Sequence, residues 1–452
     1  MRDWTADEVA RAAGARLVGP APAAGPARAV VDSRAIREGD LFVGLAGEHA
    51  NGGAFASQAL AAGAWGVLVA PEHVDAAQRG AAPGALLAAD DPLAALQALA
   101  RSWRRALGAQ VVAITGSTGK TSTKDILAVL LGQRLRTFAS PQNFNTEVGL
   151  PLALLEAPPD TEAVVVEMGM RGPGQIAELA AIAEPDVGVI TNVGPVHVEL
   201  LGSVEAIADA KAELVRALGP EGCAVLPAGL DLLTPHLRSD IRTITFGPGG
   251  EVHLVEGSDG RVVIQAGDER LELRPSFGQA HNIVNLLAAV AAARAVGVTP
   301  EGDVDVTFSA LRGERLALPG GVVVVNDCYN ANPMSMRAAL DDLAETASGR
   351  TVAVLGDMLE LGADERRFHE EVGAHAGDLG VDVLVAVGAR ASAIADAFGG
   401  ESHRVASAAE AAALLPGLLH EGDTVLVKAS RSVGLEAVAE ALAGEQAGVS
   451  GR

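Results

Sequence analysis

The sequence predicts an α/β protein of three domains. These are an N-terminal α/β unit (residues 1–106), a central parallel-sheet domain carrying a small antiparallel sheet (107–318), and a C-terminal α/β domain of dinucleotide-fold type (319–452). Three observations support this. The chain has 452 residues, about three domains at roughly 150 residues each. From residue 110 onward, apolar runs of strand length alternate with helical segments, the signature of parallel βαβ units. A glycine-rich turn also joins an apolar strand to a helix at residues 111–124, VVAITGSTGKTSTK. With 49% hydrophobic but only 3% aromatic residues, the cores are built mainly from Val, Leu, Ile and Ala.

The elements follow in order. Thr5-x-x-Glu8 is a capping-box pattern that opens a short helix. Short strands are expected near residues 29–32, 41–45 and 65–70. A helix from Pro92 places Leu93, Leu96, Leu99, Trp103 and Leu107 near helical spacing, a core stripe. VVAIT, AVVVEMG, VGVITNVG and CAVLP then read as strands separated by helices. Residues 241–275 differ, because apolar and polar residues alternate around Asp-Gly and Gly-Asp turns, as in antiparallel hairpins. GQAHNIVNLLAAVAAARAVG reads as a helix ending at Gly297, and LPGG (318–321) as a hinge. Beyond it, VVVVND, TVAVLGD, VDVLVAVG and DTVLVKAS are strands, and the tail frays after Gly444. No G-x-G-x-x-G follows the first of these strands, so a dinucleotide is not expected there.

Bulk composition narrows the function. A net charge of −23 argues against a nucleic-acid or membrane-surface binder, which needs a basic footprint. Two cysteines without CxxC spacing give neither a disulfide framework nor a zinc site. No apolar run approaches about 18 residues, and the N-terminus carries charges where a signal peptide needs its apolar core. A soluble cytoplasmic protein is expected.

Gly116, Ser117, Thr118, Gly119, Lys120, Thr121 and Ser122 form a G-x-x-G-K-T turn, shorter than the usual phosphate loop. Backbone N–H groups and a helix N-terminus there converge on an anion, Lys120 adds a point charge, and Thr121 offers a hydroxyl to Mg²⁺. ATP is the expected ligand. Glu167 ends the next apolar strand, either as a magnesium ligand or as a strand-end charge. His197 and Glu199 lie in TNVGPVHVELLGS, placed to face the same cleft. Mg²⁺ prefers oxygen ligands, so a histidine ligand would mark a second metal position. Lys211, in IADAKAELVRAL, has the pattern of a solvated helix lysine. His281, Asn282 and Asn285 open an apolar helix, where they either cap it or face a nucleotide base. Asp327, Asn330 and Asn332 follow a buried strand, at the carboxyl end where ligands collect in such sheets.

Together these segments resemble the Mur ligases of peptidoglycan synthesis, over nearly the whole chain. The resemblance rests on DSRAIREGDLFVGLAGEHANGG (32–53), TGSTGKTSTK, NFNTEVGLPLALL (143–155), TNVGPVHVELLGS and the AKAEL lysine. NDCYNANPMSMRAAL (326–340) and LGDMLELG (355–362) point to the branch that adds D-alanyl-D-alanine to UDP-MurNAc-tripeptide, and the DNPR element of the diaminopimelate-adding branch is absent from the sequence. The resemblance implies a UDP-binding first domain and an ATP-dependent amide ligase that works through an acyl phosphate. It implies ATP phosphates on Lys120, Mg²⁺ on Thr121 and Glu167, and a second Mg²⁺ on His197, Glu167 and a carbamylated Lys211. Asn282 would contact adenine, Asp327 the ribose, and Arg315 the phosphates. Here Gly-Glu-Arg replaces the family's common Gly-Arg, so Arg312 competes with Arg315 for that role. Ser33 and Arg34 would hold the UDP end, and Asn145 and Thr146 the sugar-peptide portion. Asn330, Lys428, Ser430 and Arg431 would serve the substrates from the third domain. The implied partners are small molecules, and the implied state is a monomer. A sister ligase adding another amino acid is one rival. The other is a phosphate-loop switch, for which the UDP-type first domain would be superfluous.

Overall fold

The computed structural model describes every residue except 2, 49, 81, 142–143, 259 and 448–452. His49, Asn143, Asp259 of the expected Asp-Gly turn, and the last residues of the tail therefore lie outside the described residues. The final helix runs to Ala447, past Gly444.

The first domain holds strands β1 (Arg16–Val18), β2 (Ala29–Val30), β3 (Leu41–Val43), β4 (Gly66–Val69) and β5 (Ala85–Ala88), with helices α1 (Ala6–Ala13), α2 (Ala56–Ala61), α3 (Val74–Arg79) and α4 (Pro92–Leu107). The sheet order is β1-β5-β4-β3-β2, parallel except for the β1 edge. The Thr5–Glu8 capping box forms at α1. Asp91 caps α4 by accepting from the N–H groups of Leu93 and Ala94. The strands β1 and β5 were not among the sequence expectations. Ala-Leu-Leu-Ala has little strand propensity of its own, and β5 is a strand because neighbours pair with it on both sides.

The central domain contains β6 (Gln110–Thr115), β7 (Thr137–Ala139), β8 (Ala163–Glu167), β9 (Val187–Ile190), β10 (Cys223–Pro227), β11 (Arg242–Phe246), β12 (Val252–Ser258), β13 (Arg261–Ala266), β14 (Glu269–Pro275) and β15 (Gly302–Val304). Its helices are α5 (Lys120–Gly132), α6 (Gly149–Glu156), α7 (Gln175–Ala183), α8 (Val198–Leu201), α9 (Val204–Ala217) and α10 (Ala280–Val296). The ten strands form one sheet, β15-β14-β13-β12-β11-β10-β9-β6-β8-β7. The expected antiparallel strands β12–β14 continue the parallel sheet rather than standing apart, joined through the register pair Phe246–Val252. Both of those side chains are buried in the core under α5 and α10. Helix α10 is buried on nearly all sides, which explains why its sequence lacks a polar face.

The third domain comprises β16 (Glu314–Ala317), β17 (Val323–Asn326), β18 (Thr351–Gly356), β19 (Val383–Val387), β20 (Glu401–Val405) and β21 (Thr424–Lys428), with α11 (Pro333–Thr346), α12 (Glu365–Asp378), α13 (Ser392–Phe398), α14 (Ala408–Leu414) and α15 (Glu436–Ala447). The order is β16-β17-β21-β18-β19-β20, parallel but for β16. The sheet thus begins before the expected boundary at 319. Residues 318–321 close the β16–β17 hairpin and are not a hinge, because the backbone groups of β16 are paired within this sheet.

The cores also differ in how they connect. The first domain and one face of the central sheet share one continuous apolar cluster, bridged by α4. Trp103 donates its indole N–H to Ala157 O at 3.1 Å, and Arg104 donates to the carbonyls of Ala183 and Glu184. The third domain keeps its own two clusters and meets the second across a polar cleft. An interface of that kind permits relative motion, whereas a shared apolar core resists it. Among the described residues no helix is long and apolar enough to cross a membrane.

Candidate functional site

The cleft between the second and third domains encloses about 790 Å³. Its floor is the turn after β6. Gly116 (φ 154°) and Gly119 (φ 78°) have backbone conformations that side chains disfavour. A Cβ at Gly116 would stand 1.8 Å from Thr191 Oγ1, and one at Gly119 would stand 2.4 Å from Asn285 Oδ1. The next strand's loop ties the turn down. Thr118 N–H donates to Asn192 Oδ1 at 2.9 Å, Thr191 Oγ1 donates to Thr118 O at 2.6 Å, and Gly194 N–H donates to Ser117 Oγ at 2.9 Å. Ser122 also lines the cleft. Gly119→Ala is expected to cost about 1–2 kcal/mol from the left-handed backbone alone, with the Asn285 clash added, which a denaturant melt measures.

Lys120 opens α5, and its Nζ donates to Gly116 O at 2.8 Å. Burial pushes its pKa down, opposed by the Glu167 carboxylate. Thr121 Oγ1 donates to Glu167 Oε2 at 2.7 Å, and Glu167 is buried at the end of β8. His197 precedes α8 with φ 55°, and its Nδ1 hydrogen-bonds the Glu360 carboxylate of the third domain. Burial lowers the pKa of this ring, and Glu360 opposes the shift.

Lys211 departs from the solvated pattern. It is 2% exposed and lines the cleft, and no hydrogen bond or ion pair from its Nζ occurs among the described residues. Burial, with the charge of Lys120 nearby, drives its pKa well below the usual lysine value. The reason is the register of α9. Ile207, Lys211 and Leu214 recur at helical spacing on the buried face, so the lysine sits inside an apolar stripe, a signal already present in the sequence. Two residues on, Glu213 accepts from the N–H groups of Gly174 and Ala177 and fixes α9 against the start of α7.

The opposite wall comes from α10 and the third domain. Asn285 Nδ2 donates to Asn282 Oδ1 at 3.2 Å, both side chains being buried. Lys428 Nζ donates to Asp327 Oδ2 at 2.5 Å and to Asn330 O at 3.0 Å. Asn145 and Thr146 line the cleft from the loop before α6, where Gly169 N–H donates to Asn145 O.

Five expected residues lie elsewhere. Arg315 donates to Asp342 Oδ2 and to Thr346 Oγ1 on α11 and does not line the cleft. Arg312 lines it instead, with its guanidinium 3.9 Å over the Tyr329 ring and its buried Nε without a hydrogen-bond partner among the described residues. Ser430 Oγ accepts from Leu359 N–H at 3.0 Å, and Arg431 pairs with Glu436 at 3.0 Å, so both brace the third domain. Ser33 and Arg34 stand in the first domain away from the cleft. There Arg34 folds back on Asp32 and holds its carboxyl well below the usual range. Sequence reasoning did not single out Arg171, Asn192, Tyr329 or Glu360. Glu360 lay within the quoted LGDMLELG run, and its left-handed backbone (φ 62°) becomes visible only in the fold.

Five bases (Lys120, Arg171, Lys211, Arg312 and Lys428) and five acids (Glu147, Glu167, Glu178, Asp327 and Asp342) line the cleft, but Arg312 and Lys211 lie close enough to Lys120 to interact with it, whereas Asp327 and Asp342 are paired with Lys428 and Arg315. That arrangement concentrates positive charge where an anionic ligand would lie. Two family models match the chain. The Mur ligase middle domain covers residues 114–293, and the Mur ligase, glutamate ligase domain covers residues 311–431. The chain belongs to the Mur ligase family. Among its relatives, the UDP-N-acetylmuramoyl-tripeptide–D-alanyl-D-alanine ligase of Synechocystis sp. is 40% identical over 92% of this chain and 91% of its own. The enzyme of that name from Bacillus subtilis is 36% identical over 91% and 92%. Among solved structures, MurF from Acinetobacter baumannii superposes with a TM-score of 0.86 at 29% identity, covering 97% of this chain and 98% of that one. MurF from Thermotoga maritima in complex with ADP gives a TM-score of 0.80 at 30% identity, covering 92% and 96%.

Proposed function

We propose that this protein is the ATP-dependent ligase that joins D-alanyl-D-alanine to UDP-N-acetylmuramoyl-tripeptide in peptidoglycan precursor synthesis. The observation that carries the reading is likeness over more than nine-tenths of the chain, most of the first domain included, to relatives bearing that name. The cleft suits the chemistry. Only glycine at 116 and 119 lets the phosphate turn pack against Thr191 and Asn285, the Arg312 Nε is a cationic group with no hydrogen-bond partner among the described residues, and Lys211 is buried beside the cleft.

The terminal carboxylate of the tripeptide attacks the γ-phosphorus of ATP. A C–O–P link forms, the bond to the bridging oxygen breaks, and ADP departs. The amine of D-alanyl-D-alanine then attacks the acyl carbon, and phosphate leaves as the amide forms, with the amine proton going to solvent. Lys120 and Arg312 lessen the repulsion between two anions and stabilise the charge in flight. Asn282 and Asp327 orient the adenosine, and Asn145 and Thr146 orient the sugar-peptide. Seating of the third domain excludes water, which would otherwise hydrolyse the acyl phosphate. Ser33 and Arg34 hold the UDP end in the first domain.

Among the described residues no three His, Cys, Asp or Glu side chains gather as a metal site, so protein carboxylates alone do not make one here. Apart from the His197 ring nitrogen, the donors on hand are oxygens that suit Mg²⁺. Thr121 and Glu167 would hold one ion, and Glu167, His197 and a carbamate on Lys211 would hold a second. Bound there, Mg²⁺ supplies charge neutralisation on the transferring phosphoryl group.

The test is phosphate release and amide product by mass spectrometry, with ATP, Mg²⁺ and UDP-MurNAc-tripeptide. Both should require D-alanyl-D-alanine. Product formed with a single amino acid in its place would assign the chain to a sister ligase. Turnover of ATP with no amide product would favour a switch. Asp327→Asn keeps a side chain against Lys428 but removes the charge. It should raise KM for ATP about 10-fold or more, the scale of a hydrogen bond to a charged group, and leave the affinity for the UDP-substrate nearly unchanged. Equal losses for both ligands would move Asp327 out of the nucleotide site.

A further inference from the structure

We infer that Glu360 is a positioning residue, which holds the His197 ring from across the cleft so that the second metal site is complete only when the third domain is seated. The inference rests on the reading of His197 as a magnesium ligand. His197 belongs to the second domain and Glu360 to the third, in the loop between β18 and α12. Their side chains hydrogen-bond, and Glu360 O accepts from Glu199 N–H at 3.3 Å. Among the described residues four non-glycine positions have left-handed backbones: Glu184, His197, Leu311 and Glu360. Two of them make this contact, and a third, Leu311, lies on the link between the same two domains. Residues of that kind persist only where the surroundings over-determine them, and they cluster at functional sites.

The loop around Glu360 is over-determined in that sense. Met358 N–H donates to His369 Nε2 at 3.0 Å and Leu359 N–H to Ser430 Oγ at 3.0 Å. Ala391 N–H donates to Asp357 Oδ1 at 2.7 Å, and Gly388 leaves room for that carboxylate. Met358 and Leu361 are fully buried on either side. Glu360 is therefore presented to His197 by a rigid support. Among the described residues no second-domain carboxylate hydrogen-bonds the ring, so the acid that holds it comes from the third domain. A carboxylate that accepts the Nδ1–H keeps the proton there and leaves the Nε2 lone pair for a metal, with the ring orientation fixed. Without it, both tautomers and both ring orientations are open.

The probe is Mn²⁺, counted by electron paramagnetic resonance on the full chain with a non-hydrolysable ATP analogue. The wild type should bind two ions, and His197→Ala should lose the second. Glu360→Gly adopts φ 62° without strain, so it should fold at least as stably as the wild type. It should nonetheless bind the second Mn²⁺ about 10–100-fold more weakly, with the first site unchanged. Glu360→Gln retains an acceptor oxygen and should recover most of the affinity. Wild-type binding of both ions by Glu360→Gly, with the second ion lost in His197→Ala, overturns the role of Glu360 alone. Retention of the second ion in His197→Ala overturns the metal reading of His197 and this inference with it.

Discussion

Lys120→Ala should abolish amide formation and acyl-phosphate formation together, because both begin with transfer of the γ-phosphoryl group. The Lys120 ammonium stands at the start of α5 above the cradle, anchored on Gly116 O, so its charge is pre-positioned. Removing one such group from a water-poor site costs about 10²–10³ in kcat. The turn itself should survive, since Thr118, Thr191, Asn192 and Gly194 hold it independently of the lysine. Rapid-quench detection of ADP with the full substrate set measures the first step. A variant that releases ADP at near wild-type rate would remove the cradle lysine from the mechanism.

Lys211→Ala should be comparably severe, and rescuable. An ammonium carries three donors and no acceptor, so it cannot ligate Mg²⁺. Burial and the charge of Lys120 push the Lys211 pKa well down, which favours the neutral amine, the form that adds to CO₂. The N–C bond forms, one proton leaves, and two oxygens and a negative charge result. Lysine activity should therefore fall in CO₂-depleted buffer and as pH drops through the depressed pKa, and bicarbonate should restore it. Lys211→Ala should lose about 10²-fold or more in kcat, and acetate or formate should restore part of it by filling the vacated oxygen position. Lys211→Arg should not respond, because a guanidinium stays charged. Full activity in Lys211→Ala, or a folded variant that carboxylates never help, would leave Lys211 as a buried lysine without a metal role.

Some of this site could be read directly from the chain. The order Gly116, Gly119, Lys120, Thr121 encodes a turn that needs glycine at two positions and a helix start directly after an apolar strand, so a short window of sequence suffices. Glu167 and His197 were legible for a related reason, since each follows an apolar run that must be a buried strand, and the carboxyl ends of such strands face one cleft. Lys211 was half legible. Its neighbours Ile207 and Leu214 give its face, but a lysine in an apolar stripe has two readings until the packing of α9 is known.

The choice between Arg312 and Arg315 shows why the rest was not. Three residues apart, they differ in sequence by nothing that names a ligand. The pairing of β16 with β17 is what turns Arg315 onto Asp342 and Thr346 and leaves Arg312 over Tyr329. The same pairing made residues 318–321 a hairpin turn where the sequence suggested a hinge.

The sequence by itself determined the alternation of strands and helices and the phosphate turn, because propensity, periodicity and glycine geometry are local properties of the backbone, and its motifs carried the resemblance to the Mur ligases. Only the tertiary structure decided that the first domain shares its core with the second while the third stands apart, that Lys211 is buried with no partner among the described residues, and that His197 meets Glu360 163 residues further along the chain. Those facts depend on which surfaces are brought together, and the free energy that brings them together is spread over many apolar side chains, none of which identifies its partner in the linear sequence.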